Sequence, residues 1–334
     1  MKLSVIIPYY NADEFIGGML DSLLEQDLEA GEYEIIVVDD GSKEEPVTLK
    51  RYVAEHPQIV YVRQENAGPS AARNRGLEMA RGDWIYFCDA DDQVQRHTFR
   101  QIIEIGERLD LDIADCERVY VQVGEPFPEH PRRDFDDVSE PQTGWEYFSG
   151  PYSPQDYGIW HFFCRRSFWL ENSLRFENII YVEDRLMLLE VMSCARRMSH
   201  IGVEIYYYVQ RGASVLHQDK KNKFNQYIPG VFLLEEKVTD LLQAHQDEPA
   251  VKQELLHWQG VNAYMLLHNV FRYSDVATTK DCIDRLKALG AYPIPLSWGN
   301  TQSRTISRLM NCRPLWMAAC RLFHLLPYRL RLRF

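Results

Sequence analysis

"DWIYFCDADD", residues 83–92, reads as a short buried strand that runs straight into three carboxylates, Asp89, Asp91 and Asp92. Like charges this close raise one another's pKa and cost stability unless a cation or an array of donors compensates them. Three earlier segments have the same form. "LSVIIP" (3–8), "YEIIVVDDG" (33–41) and "IVYVRQ" (59–64) are apolar runs that stop at polar or helix-breaking residues. Helical patterns lie between them at 13–26, 44–54 and 68–82, the last opening at Pro69 and Ser70 and stopping at Gly82. Strands without polar alternation, separated by helices, predict an α/β fold with a mostly parallel sheet covered on both faces. Such sheets bind ligands beyond the carboxyl ends of their strands.

Residues 8–11, 39–42, 65–68 and 89–92 all fall at those ends. Singly, each has a plain structural reading: a turn at Asp40 and Gly41, a helix entry at Asn66 and Gly68, an N-cap at Asp91 or Asp92 for a helix beginning near Gln95. Four such loops on one rim point instead to a ligand. Neither a P-loop nor a G-x-G-x-x-G pattern is present, so phosphate is not expected in a glycine-rich turn. A metal is the natural substitute. Asp89 and Asp91, two residues apart at a strand end, offer hard oxygen ligands suited to Mg2+ or Mn2+, with a substrate diphosphate completing the shell.

The chain of 334 residues is 46% hydrophobic and 26% charged, ordinary for a globular protein of one large and one smaller domain. A net charge of -12 argues against a nucleic-acid binder. Seven cysteines without a C-x-x-C pair fit reduced thiols in an intracellular protein. The N-terminal apolar run breaks at Pro8, too short for a signal peptide, and no stretch is long enough to span a membrane. Residues 301–334 stand apart: seven arginines among Leu, Trp, Phe and Met, with no acidic residue. A basic amphipathic tail of this kind suits either the surface of an anionic bilayer or packing on the protein body or in a homodimer.

The segments "SVIIPYYNADEFIGGMLDSLLEQ", "YEIIVVDDGS", "QENAGPSAARNRGLEMARGDWIYFCDADD" and the later "YVEDRLMLLEV" resemble the inverting nucleotide-sugar glycosyltransferases of family 2, with the GT-A fold, over about residues 3–215. The resemblance implies that Asp39 bonds the nucleotide base in a pocket shaped by Pro8 and Tyr9. It also places Gly68, Arg73 and the Asp89-Ala90-Asp91 motif on the nucleotide sugar, with Asp89 and Asp91 at the metal. Asp92 either lines the acceptor side or caps the following helix. Asp184, of the Glu183–Asp184 pair, is the implied catalytic base: a carboxylate opposite the nucleoside diphosphate takes the acceptor's proton as its hydroxyl attacks C1 in line. Both acids also suit the start of the helix they open.

Trp160 matches the family's acceptor-facing tryptophan, and with His161 either contacts a sugar or belongs to the core, since Phe162 replaces the family's lysine. Arg211, Ser214 and His217 follow in a polar loop, where His217 is either a further metal ligand or a solvated surface histidine. The expected organisation is a catalytic domain over 1–218, with a nucleotide-sugar part at 1–115 and an acceptor and base part at 143–218, followed by a helical domain over 219–334. The proline-rich stretch at 124–142 is either a mobile lid or an inert loop. Together these imply transfer from a nucleoside-diphosphate sugar, UDP foremost, to a saccharide or lipid-linked saccharide for cell-surface polysaccharide synthesis. The expected location is the cytoplasm or the inner face of a bacterial plasma membrane. A nucleotidyltransferase and a non-catalytic sugar-nucleotide or glycan-binding module are the rival readings.

Overall fold

A computed structural model describes residues 1–128, 130–152, 158–179, 181–211, 220–296 and 301–325. The chain divides into two compact units, Met1–Asn178 with Glu183–Ser214, and Ile179–Val182 with Val215–Phe334.

The first unit begins β1 (Leu3–Tyr9), α1 (Ile16–Leu24), β2 (Tyr33–Asp39), α2 (Val47–Glu55), β3 (Ile59–Arg63), α3 (Pro69–Met79) and β4 (Trp84–Phe87). These strands pair in parallel in the order β3-β2-β1-β4, and every residue of β2 and β4 is buried, the pattern of a sheet covered on both faces. Register sets the rim: Tyr9 pairs with Asp39, and Asp39 with Arg63. α3 lies so close to the sheet that a Cβ on Gly76 would meet Ile6 Cγ2 at 2.4 Å, which is why glycine stands there.

Beyond β4 come β5 (Gln93–Val94), α4 (Phe99–Arg108), β6 (Ile113–Gln122), β7 (Arg133–Val138), α5 (Gly144–Phe148), β8 (Phe162–Arg165), α6 (Arg166–Glu171), α7 (Glu183–Cys194) and β9 (Met198–Gln210). The sheet continues as β4-β8-β6-β9-β5, with β8 antiparallel to both neighbours and β7 antiparallel to β9. It is therefore mixed, parallel through its first four strands. The stretch at 124–142 is not simply a loop: β7 ties part of it to the sheet, and Phe127 packs on Tyr207. The core around β4 is aromatic, with Tyr86 stacked on Phe163 at 4.4 Å and Phe99 edge-on to both. At the opposite end of the sheet from the rim, buried Glu34 accepts from Ser4 Oγ at 2.7 Å and from the Arg81 backbone N–H and guanidinium at 2.6–3.0 Å.

The second unit contains α8 (Lys220–Ala244), α9 (Pro249–Tyr273), α10 (Val276–Ala288), α11 (Thr301–Asn311) and α12 (Arg313–Leu325). Buried Leu234 and Val238 of α8, with Leu255, Trp258 and Leu266 of α9, form its centre. Trp316 and Phe323 of α12 pack on Phe271 of α9 at 4.9 and 4.2 Å. All seven cysteines are free, and among the described residues no helix is long and apolar enough to cross a membrane.

Candidate active site

The paired aspartates that end β2 build the first half of the rim. Asp39 is fully buried, accepting from the Ser42 N–H and the Tyr61 hydroxyl, each at 2.8 Å. Through these bonds Asp39 braces the 39–42 turn at the end of β2. Asp40, read from sequence only as a turn residue, accepts from the N–H groups of Ala67 and Gly68 at 2.8 Å and from Gln64 Nε2 at 2.9 Å. It fixes the entry to α3, where Gly68 takes φ +92°, a conformation that side-chain-bearing residues rarely adopt. β1 ends at Tyr9, which is buried with its hydroxyl turned to Asp13, while Tyr10, just past the strand, is exposed beside half-buried Pro8. Tyr10, not Tyr9, is the aromatic surface at this corner.

Arg73, on α3, lies between the two carboxylate groups that the sequence placed far apart. One guanidinium nitrogen, Nη2, is 3.0 Å from Asp89; the other, Nη1, is 3.3 Å from Asp184 and 3.7 Å from Glu183. Its side chain is buried, with the guanidinium 5.4 Å from the Phe176 ring. Burial works against its charge, but Asp184, Asp89 and Glu183 outweigh it and hold the group above the usual arginine range. Arg73 thus joins Asp89 to the acids that open α7. Removing it would leave three carboxylates facing one another, a change of the kind that costs about 3–5 kcal/mol for a buried pair.

Ala90, between the motif aspartates, is buried, while Asp91 is the more open carboxylate. Arg211 Nη1 lies 3.0 Å from Asp91 and 3.9 Å from Asp92, with the guanidinium 4.5 Å above the Phe15 ring. Burial, then the Asp89 charge, raises the pKa of Asp91. Asp92 is buried and accepts from the Tyr206 hydroxyl at 2.7 Å and the Val209 N–H at 2.8 Å. It caps no helix, because α4 starts only after Thr98; its oxygens face Tyr206 and Val209 of β9. Burial, then Asp89 and Asp91, pushes it up to about 8.

Of the two readings of His161, the buried one fits the structure. That side chain is buried, with Nδ1 2.5 Å from Asp115, which also accepts from the Tyr147 hydroxyl. Trp160 instead starts an aromatic row. It stacks on Tyr206 at 5.8 Å and tilts against Tyr208 at 5.5 Å, and Tyr208 meets Tyr120, which is half exposed, edge-on at 5.6 Å. Tyr208 and Tyr120 were not singled out in the sequence; their parallel pairing in β6 and β9 puts them side by side. His217 and Ser214 lie outside the described residues.

Among the described residues no three His, Cys, Asp or Glu side chains form a protein-only metal cage. The donor set nevertheless fits Mg2+ or Mn2+, which commonly take one or two carboxylates and complete their shell with water and substrate phosphates. Asp91 and Asp92 are raised first by burial and then by the neighbouring aspartates, and that second contribution is a repulsion that such an ion would relieve.

Residues 4–173 match the family model for glycosyl transferase family 2. The uncharacterized glycosyltransferase YibD of Escherichia coli K12 is 29% identical over 301 residues, covering 87% of this chain and 86% of its own. The uncharacterized glycosyltransferase EpsJ of Bacillus subtilis 168 is also 29% identical, over 68% of this chain and 66% of its own. A crystal structure of residues 1–349 of Staphylococcus aureus TarS in complex with UDP superimposes with a TM-score of 0.68 at 20% identity, covering 96% of this chain and 89% of that one. The last likeness establishes a shared GT-A-like fold that includes the helical C-terminal region.

Proposed function

The chain belongs to glycosyl transferase family 2, and from that premise we propose that it transfers a sugar from a UDP-sugar to a hydroxyl of a saccharide, with inversion at C1. The observation that carries this reading is Arg73, whose guanidinium binds Asp89 and Asp184 together and so holds the donor motif and a base candidate in one fixed relation. Asp184 takes the acceptor hydroxyl's proton as that oxygen forms its bond to C1; the bond from C1 to the diphosphate breaks on the opposite face, and UDP leaves with the electron pair. Mg2+ or Mn2+, held by Asp91 with Asp89, would supply Lewis-acid charge to the leaving diphosphate. Arg211 brings a second positive charge to the same carboxylate.

Uridine as the base is supported by the fold shared with UDP-bound TarS. Tyr10, Pro8 and exposed Arg63 are the surfaces available to it, with Asp39 bracing the turn beside them. Trp160, Tyr208 and Tyr120 form the acceptor wall, since aromatic faces suit the apolar faces of sugar rings. The saccharide is read as a cell-surface polysaccharide intermediate, lipid-linked, made on the cytoplasmic side.

A panel of UDP-, GDP- and dTDP-sugars with Mn2+ or Mg2+ tests the reading through release of nucleotide. One UDP-sugar is expected to turn over, and Asp184→Asn to slow transfer by roughly 10²–10⁴-fold while UDP still binds. Retained function in that variant would favour a binding module instead.

A further inference from the structure

We propose that the outward face of α12, flanked by arginines of α11 and α12, is a docking surface for an anionic lipid bilayer. The inference stands on the second unit alone and goes beyond the transferase reading. Helical spacing divides α12 into two faces. Trp316, Cys320 and Phe323 are buried, the two aromatic rings against Phe271. Turned about half a revolution away are Leu315, Leu322 and Leu325, 58%, 67% and 80% exposed, with exposed Ala318 among them. Single exposed leucines are commonplace, whereas a row of them on one helix face marks an interaction surface.

Charge selects the occupant. Between residues 301 and 325 there are four arginines and no acidic residue, on a chain whose net charge is -12. Arg313 pairs with Asp284, while Arg308 and Arg321 are exposed. Leu309 on α11 is a further exposed apolar side chain, 41% exposed. A second copy meeting this face about a two-fold axis would set arginine against arginine with no carboxylate from either segment between them. Phosphate headgroups supply the missing negative charge, and the leucines reach the acyl boundary beneath, the arrangement of a helix lying in the plane of the interface.

Co-sedimentation of the full chain with phosphatidylcholine vesicles containing about 30% phosphatidylglycerol tests this, with pure phosphatidylcholine as control. Binding is expected on the anionic vesicles, falling several-fold between about 0.1 and 0.5 M NaCl as screening grows. The combined Leu315→Ser, Leu322→Ser and Leu325→Ser variant is expected to bind roughly tenfold more weakly or worse. Arg308→Glu with Arg321→Glu should remove the preference for anionic lipid. Circular dichroism and thermal unfolding of the same variants verify that the helical unit is folded, and UDP binding reports on the donor site separately. Wild-type protein left in the supernatant, or a triple-leucine variant that binds as well as wild type, would overturn the proposal. So would a dimer, seen by sedimentation velocity, that dissociates in the leucine variant while no form binds vesicles.

Discussion

Tyr206 and Asp92, 114 positions apart in sequence, are joined by a 2.7 Å hydrogen bond, and the same tyrosine hydroxyl accepts from the Asp89 N–H at 3.1 Å. One side chain of β9 thereby holds two residues of the strand-end acidic loop. Tyr206→Phe deletes the hydroxyl and leaves a buried carboxyl short of a donor. A loss of about 1–3 kcal/mol in urea unfolding is expected, with weaker metal-dependent UDP binding. Unchanged stability and binding would mean that the loop is held by other contacts.

Glu34 contributes stability that acid removes. Burial raises its pKa, but the Arg81 guanidinium, the Ser4 hydroxyl and the Arg81 N–H outweigh burial and hold it below the usual glutamate value. A depressed folded-state pKa contributes stability that is fully present above the unfolded value, near 4.5, and is lost as pH falls through the folded one. Glu34→Gln should lower the urea midpoint at pH 7, and its deficit against wild type should shrink as pH drops below about 4.5. A deficit independent of pH would assign the loss to packing.

Asp184, tied to Asp89 of the donor motif through Arg73, is the proposed base. Asp184→Asn is expected to lower kcat by roughly 10²–10⁴-fold, the range of general-base catalysis, with the dissociation constant for UDP changed far less. Steady-state kinetics beside calorimetry separates the two. Parallel losses of binding and turnover would instead assign the residue to donor binding through Arg73.

The aromatic row from Trp160 to Tyr120 separates acceptor from donor effects. Tyr120→Ala and Tyr208→Ala each remove a surface worth about 1 kcal/mol in aromatic contact, so KM for the saccharide that supports turnover should rise several-fold. Hydrolysis of the donor alone should not change. An effect on donor hydrolysis equal to that on transfer would remove these tyrosines from the acceptor side.

The strands and the rim were legible because apolar runs ending in Asp-Asp-Gly or Asp-x-Asp carry their burial and their termini in the local pattern. What escaped depended on partners distant in sequence. Asp92 looks like a helix cap from its neighbours alone; only β9, paired through β5, reveals Tyr206 and Val209 as its donors. Tyr9 and Tyr10 are adjacent and alike in type, and the point at which β1 ends decides which of them is exposed at the rim. His161 pairs with Asp115 because β8 inserts beside β6, an antiparallel neighbour that the helix-strand alternation of the first hundred residues does not announce. Likewise Arg73 in "SAARNRG" reads as a basic residue on a helix, and its tie to Asp184 arises only when α7 comes to rest above the strand ends.

Calorimetric titration of the full chain with UDP, with and without Mn2+ or Mg2+, tests the central claim most directly. Metal-dependent binding that Asp91→Asn weakens is the expected result, placing a nucleoside diphosphate at the acidic rim. No detectable binding with either ion up to about 1 mM UDP, an affinity weaker than about -4 kcal/mol, would contradict it.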